Sequence, residues 1–224
     1  MSISETSARA YNIQKMLPDG LGEHVVAWWH MGEGEGNVVK DCVGENDGKI
    51  MGASWIEENG RNVLSFDGVN DYVEVNAFTS GNFDFSVSCW VNAKDNNTRK
   101  FWFSYNGYFE MGSDGKWRIS IYHNEGSNSD GRGPLYNINQ WYHTLVEYNA
   151  TTKVAKLYVD NQLMITTNIG DGNLRYFGKL KMGNFNQGNF HFNGLIGETI
   201  LFDNIISEKN KGIFYENQKG AYGF

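Results

Sequence analysis

Cysteine and proline are scarce: the 224 residues contain two of each. Cys42 and Cys89 cannot form the disulfide framework that staples small secreted domains, and a single bridge between them stands open beside two reduced thiols. Long apolar runs are missing. No stretch approaches the roughly 20 residues that a membrane-spanning helix needs, so no membrane partner is expected. Cationic charge is in deficit, with 19 Lys and Arg against 26 Asp and Glu and a net charge of −7. Non-specific nucleic-acid binding requires clustered cations that displace counterions, and that function is excluded. The first 19 residues lack the basic-then-apolar order of a secretory signal. With Met1 in front, they predict a protein made and used without conventional export, the alternative being a signal already removed.

The sequence also lacks the motifs of several enzyme classes. The five histidines, His24, His30, His123, His143 and His191, show no His-Glu-x-x-His zinc spacing. No Gly-x-Ser-x-Gly elbow presents a serine nucleophile. The acidic glycine run at residues 32–36 has neither the Lys nor the Ser or Thr of a phosphate-binding loop, and its glutamates would repel anions.

What is present is glycine, 27 residues, and an aromatic share of 15%. Glycine supplies turns and aromatic rings fill a sheet core. Phe85, Val87, Cys89 and Val91 alternate with Ser86, Ser88, Trp90 and Asn92, the period-two pattern of a strand. Trp117, Ile119 and Ile121 alternate with Lys116, Arg118, Ser120 and Tyr122 after the turn at residues 113–115. Ala155, Leu157 and Val159 alternate with Lys156, Tyr158 and Asp160, and Asp160-Asn161 predicts a hairpin turn before residues 162–165. No helical pattern of comparable strength intervenes, which excludes a βαβ architecture. Two helices are expected at the ends. One is an imperfect stripe of Tyr11, Ile13, Met16 and Leu17, stopped by Pro18-Asp19-Gly20. The other is a closing helix over residues 207–218, with Ile213 and Phe214 inward and Lys209, Lys211 and Glu216 exposed.

Five segments carry a family likeness. They are residues 26–36 (VAWWHMGEGEG), 64–75 (LSFDGVNDYVEV), 85–91 (FSVSCWV), 140–148 (QWYHTLVEY) and 192–203 (FNGLIGETILFD). In this order they resemble the laminin-G-like jelly rolls of the concanavalin A-like lectin/glucanase superfamily. The resemblance implies an all-β, two-sheet antiparallel sandwich, here divided into an N-terminal arm over residues 1–22 and a jelly-roll domain over 23–224. It further implies a structural calcium ion, held by Asp41 and Asn46 of the loop at residues 41–48 and by Glu198 of a late strand. Gly197 stands where relatives often carry an Asp, and Glu45 replaces a loop Asn. The alternative is that Asp41 and Asn46 bond the loop backbone.

The span from Lys100 to Tyr122 is crowded with rings. Trp102, Tyr105, Tyr108, Trp117 and Tyr122, interleaved with amides and acids, form a candidate glycan surface, because flat rings stack on sugar C–H faces while polar neighbours bond hydroxyls. Alternation should send about half of such rings into the core. Glycosidases among the relatives use paired carboxylates, yet no Glu-x-Asp-x-Glu run exists and no catalytic residue is assigned. His143 is expected as a packed, hydrogen-bonded core residue. The resemblance thus suggests a non-enzymatic structural or interaction protein on a virion surface, a capsid decoration or tail component of a virus or phage. Its partners would be neighbouring subunits bound through the arm, and surface glycans. A carbohydrate-binding module or adhesin outside a virion, extracellular or at a cell surface, is the alternative, and a glycoside hydrolase or lyase ranks last.

Overall fold

The computed structural model describes residues 17–18, 20–75, 83–96, 100–104, 107–112, 114–122, 128–168, 170, 174, 179–184 and 190–224; at 100–104, 107–111, 122 and 128–129 it describes the backbone alone. The alternating segments become two antiparallel sheets. The first contains β1 (Val25–Trp29), β4 (Ser54–Glu58), β5 (Arg61–Asp67), β7 (Phe85–Ala93), β12 (Tyr142–Asn149), β13 (Val154–Val159), β14 (Gln162–Asn168) and β16 (Asn193–Phe202). Its order is β14-β13-β12-β7-β16-β5-β4, with β1 also on β16. The second contains β2 (Val38–Val39), β3 (Gly48–Met51), β6 (Tyr72–Val75), β8 (Lys100–Ser104), β9 (Gly107–Met111), β10 (Lys116–Tyr122), β11 (Asn128–Leu135) and β15 (Leu180–Met182). Its order is β11-β10-β9-β8-β15-β6-β3-β2. This is the expected two-sheet jelly-roll sandwich.

Alternation decides what fills it. Val87, Cys89 and Val91 of β7, Val146 and Tyr148 of β12, and Leu157 and Val159 of β13 meet Trp117, Ile119, Ile121, Val73 and Val75 from the other sheet in one core. The predicted hairpin forms, with Asp160 and Asn161 at φ 47° and 62° as a two-residue turn of this kind requires. Cys42 and Cys89 do not bridge; Cys89 is buried in the core, where loss of solvation pushes its thiol up to about 12.

The outer face of the first sheet is covered as well, which is why every residue of β7 is buried. The cover is a C-terminal helix, α1 (Glu208–Lys219), followed by a short 3-10 turn at Gly220–Tyr222. Ser207 caps α1 by accepting from the Asn210 N–H. The helix face differs from the expected one: Phe214 and Lys211 are buried, whereas Ile213 is 39% exposed. Residues 211 and 214 lie three apart and share a face, and Lys211 is drawn inward by an acid on the sheet. Leu17 and Leu21 join Trp28, Tyr158, Ile200, Phe202 and Phe214 in the apolar cluster beneath α1. The end of the N-terminal segment thus docks on the sandwich through Leu17 and Leu21, while Tyr11, Ile13 and Met16 of the expected helical stripe lie outside the described residues.

Candidate functional site

Among the described side chains on the outer face of the second sheet, Lys49 and Asp130 are exposed, Glu74 and Lys181 half-buried and Ser120 fully buried. Cross-strand register aligns one row across this face: Lys49 (β3) opposite Glu74 (β6), Glu74 opposite Lys181 (β15), Lys181 opposite Ser104 (β8), Ser104 opposite Tyr108 (β9), Tyr108 opposite Ser120 (β10), and Ser120 opposite Asp130 (β11). Residues directly opposite share a face, so the described polar side chains of this row are Lys49, Glu74 and Lys181 toward one end and Ser120 and Asp130 toward the other. At the β10–β11 end, Asp130 Oδ1 accepts from Arg118 Nε at 2.5 Å and from Ser120 Oγ at 2.8 Å, while Arg132 Nε lies 3.5 Å from Asp130 Oδ2. Burial would raise the Asp130 carboxyl, but the bonds from Arg118 and Ser120 and the charges of both arginines hold it below the usual range. Arg132 Nη1 also reaches Asp114 at 3.2 Å. At the other end Glu74 bonds Lys179, and the Lys181 ammonium sits 4.3 Å from the Tyr72 ring centre.

The five ring candidates separate. Trp117 is corrected: it is 2% exposed and packs between the sheets against Tyr136 and Tyr142, because it occupies the inward phase of β10. Tyr108 stands in the row just described. Tyr122 is two residues beyond Ser120 on the same strand, and Trp102 lies at an irregularity in β8 between Phe101 and Phe103. The side chains of Trp102, Tyr108 and Tyr122, and Tyr105 altogether, lie outside the described residues.

The Asp41 loop is built from its own hydrogen bonds. Asp41 Oδ1 accepts from the backbone N–H of Trp28 at 3.0 Å and of Val43 at 3.1 Å, and Oδ2 accepts from Asn46 N and Nδ2 at 3.1 and 2.9 Å. Calcium needs six to eight oxygens about 2.3–2.6 Å away. Here the Asp41 lone pairs face N–H donors, Asn46 turns its amide nitrogen to Asp41, and Glu198 is held by Arg61 and Gln218. These three positions as arranged do not fit the ion. Among the described residues, no three His, Cys, Asp or Glu side chains converge as metal ligands.

On the covered face, His143 Nε2 lies 2.8 Å from Ser88 Oγ, but both are buried and neither faces solvent. Burial drives the imidazole down to about 3, so His143 is a neutral core residue as expected. A second group was not legible. Glu198 falls within an irregularity of β16 between Ile196 and Thr199 that reverses the phase of the strand: Ile196 faces the core before it and Leu201 after it. A Cβ at Gly197 would stand 2.4 Å from the Tyr222 hydroxyl, and that hydroxyl accepts from the Glu198 N–H at 2.8 Å, so glycine lets the C-terminal turn close there. Glu198 is 5% exposed, accepts from Gln218 Nε2, and has Arg61 Nη2 and His30 Nε2 each 3.5 Å from Oε2. Burial pushes its carboxyl up to about 7 against the pull of Arg61. Burial and Arg61 together lower His30. The sequence signals none of this convergence, because the contributing residues come from separate strands, a loop and the helix.

Two antiparallel sheets stacked in this strand order define a lectin-like jelly roll. A laminin-G family model, described as the concanavalin A-like lectin/glucanases superfamily, matches residues 67–210, and the chain belongs to that superfamily. No curated protein matches. Among solved structures, the binding domain of Paraclostridial Mosquitocidal Protein 1 is similar with a TM-score of 0.71 and 13% identity, over 86% of this chain and 52% of that one. The botulinum neurotoxin serotype D binding domain gives 0.69 and 14%, over 89% and 53%. Trypanosoma rangeli sialidase gives 0.74 and 13%, over 98% and 38%. The chain thus spans about half, or less, of the length of these structures. The sialidases overturn the expectation of a non-enzymatic protein: the same sandwich stands within enzymes, so this fold carries no such exclusion.

Proposed function

We propose that the chain is a glycan-recognition domain and that it binds through the outer face of the second sheet. The observation that carries this reading is the pair of charged clusters on that sheet, Glu74 with Lys179 and Lys181 toward one end and Arg118, Asp130, Arg132 and Asp114 at the other. Carboxylates and guanidinium groups fixed by their neighbours are suited to bonding vicinal hydroxyls without reordering. The binding domains of the mosquitocidal protein and the neurotoxin, similar in fold, support a binding role. In the same reading the domain sits on the surface of a virus or phage particle, attached to neighbouring subunits through its first 16 residues, and there it holds host glycans.

A glycan array with the whole chain tests the reading, followed by titration of the best ligand. Asp130→Asn should weaken that ligand about tenfold or more, since a charged hydrogen bond contributes about 1.5–3 kcal/mol. Substitution on the covered face should leave the binding of neutral glycans unchanged. An array without ligands, or binding indifferent to Asp130→Asn, would count against the outer face of the second sheet.

A further inference from the structure

On the opposite side of the sandwich a cleft of about 130 Å³ opens between α1, β1, β5 and the irregular part of β16. At roughly 30 Å³ for each water-sized group it has room for about four or five heavy atoms. Leu17, Trp28 and Phe214 give it apolar walls, and His30, Arg61, Asn217, Gln218 and Glu198 give it polar ones. Apolar walls with a few convergent polar groups are the usual composition of a small-ligand site.

Arg61 is the under-used member. Its Cζ lies 4.7 Å from the Tyr222 ring centre, and among the described residues its one side-chain hydrogen bond, to Glu198, is 3.5 Å long. A well-formed bond between arginine and a carboxylate is about 2.7–2.9 Å and commonly doubled. Five N–H donors with a single long bond among the described residues, 22% exposed at the cleft, leave the fork available to a second acceptor. Glu198 cannot close on it, because Gln218 holds its other oxygen and the backbone N–H of the same residue is tied to Tyr222.

We infer that this cleft binds a carboxylate group, with Arg61 as its bidentate anchor and Trp28 and Phe214 as its apolar walls. Glu198 is then the competitor that sets the affinity: it positions Arg61 and also partly neutralises it. The site is on the covered sheet, so it is independent of the glycan surface.

Calorimetric titration of the full chain with acetate, glucuronate and neutral glucose, at fixed ionic strength and pH 8, tests this. Acetate and glucuronate should bind and glucose should not. Binding of both acids identifies the carboxylate itself as the ligand, and binding of glucuronate alone identifies an acidic sugar. Arg61→Met should abolish the signal. Glu198→Gln should tighten it about fivefold, since it removes a competing charge from a partly exposed cation. A purely structural Glu198 would give the opposite sign, weaker binding with a lower Tm. The inference is overturned if neither acid binds the wild-type chain better than glucose, an outcome that depends on no variant, or if Arg61→Met retains binding.

Discussion

Two buried residues titrate against each other. The Glu198 carboxyl lies at about 7 in the fold against an ordinary 4.5, so the folded chain holds a proton that the unfolded chain has lost, and stability falls as pH rises through that window. The His143 imidazole lies at about 3 against an ordinary 6.5, so the unfolded chain takes up a proton that the fold refuses, and stability rises with pH. Each slope is about 1.4 kcal/mol per pH unit. Between pH 4.5 and 6.5 they cancel. Urea unfolding across that window should therefore give a steady upward slope in Glu198→Gln and a downward one in His143→Gln, with the wild-type chain between them. A Glu198→Gln slope equal to wild type would show that the carboxyl is already ionised. The sequence made His143 readable as a core residue, because it sits on an apolar strand after Trp141-Tyr142. It could not show Glu198 as buried, because Gly197-Glu198-Thr199 reads as an ordinary strand until Tyr222 closes over it.

The C-terminal helix is fastened by one cation. The Lys211 ammonium lies 2.8 Å from Glu147 of β12 and 2.7 Å from Glu208, and 4.0 Å from the Tyr158 ring centre. Lys211 and Glu147 are each 3% exposed. Burial would lower the ammonium, but bonds from Glu147, Glu208 and Tyr158 outweigh it and hold the group charged. Glu147 also accepts from the Ile206 N–H, so the same carboxylate sets the approach of the chain to α1. Removing one partner of such a pair leaves the other charge stranded. Lys211→Met should cost about 3–5 kcal/mol in urea unfolding, and the double variant Lys211→Met with Glu147→Leu should recover most of it. A single variant within about 1 kcal/mol of wild type would mean that water reaches Glu147. The helix was legible in the sequence. Its buried face was not, because a lysine is assigned to solvent unless its acid partner, 64 positions away, is known to be beneath it.

For the whole molecule, residues 17 and 21 lie under α1 with the rest of the fold, so a chain beginning at residue 17 should keep its Tm within a few degrees. If the preceding 16 residues attach the domain to neighbours, light scattering should give an oligomer for the full chain and a monomer for the shortened one. A collapse of Tm would instead make those residues part of the core. The sequence alone determined that this chain forms an all-β sandwich, since period-two alternation and Asp-Gly and Asp-Asn turns are local and leave each strand one choice of buried face. Trp117 was assignable to the interior by the same alternation once its strand phase was taken over its aromatic company. Only the tertiary structure decided which sheet the last helix covers, that Asp41 and Asn46 close a loop on themselves, and that Glu198, Arg61 and His30 meet. Those outcomes depend on strand order, on register across seven strands and on where the last helix lies, and these are fixed by packing between segments that no local pattern connects.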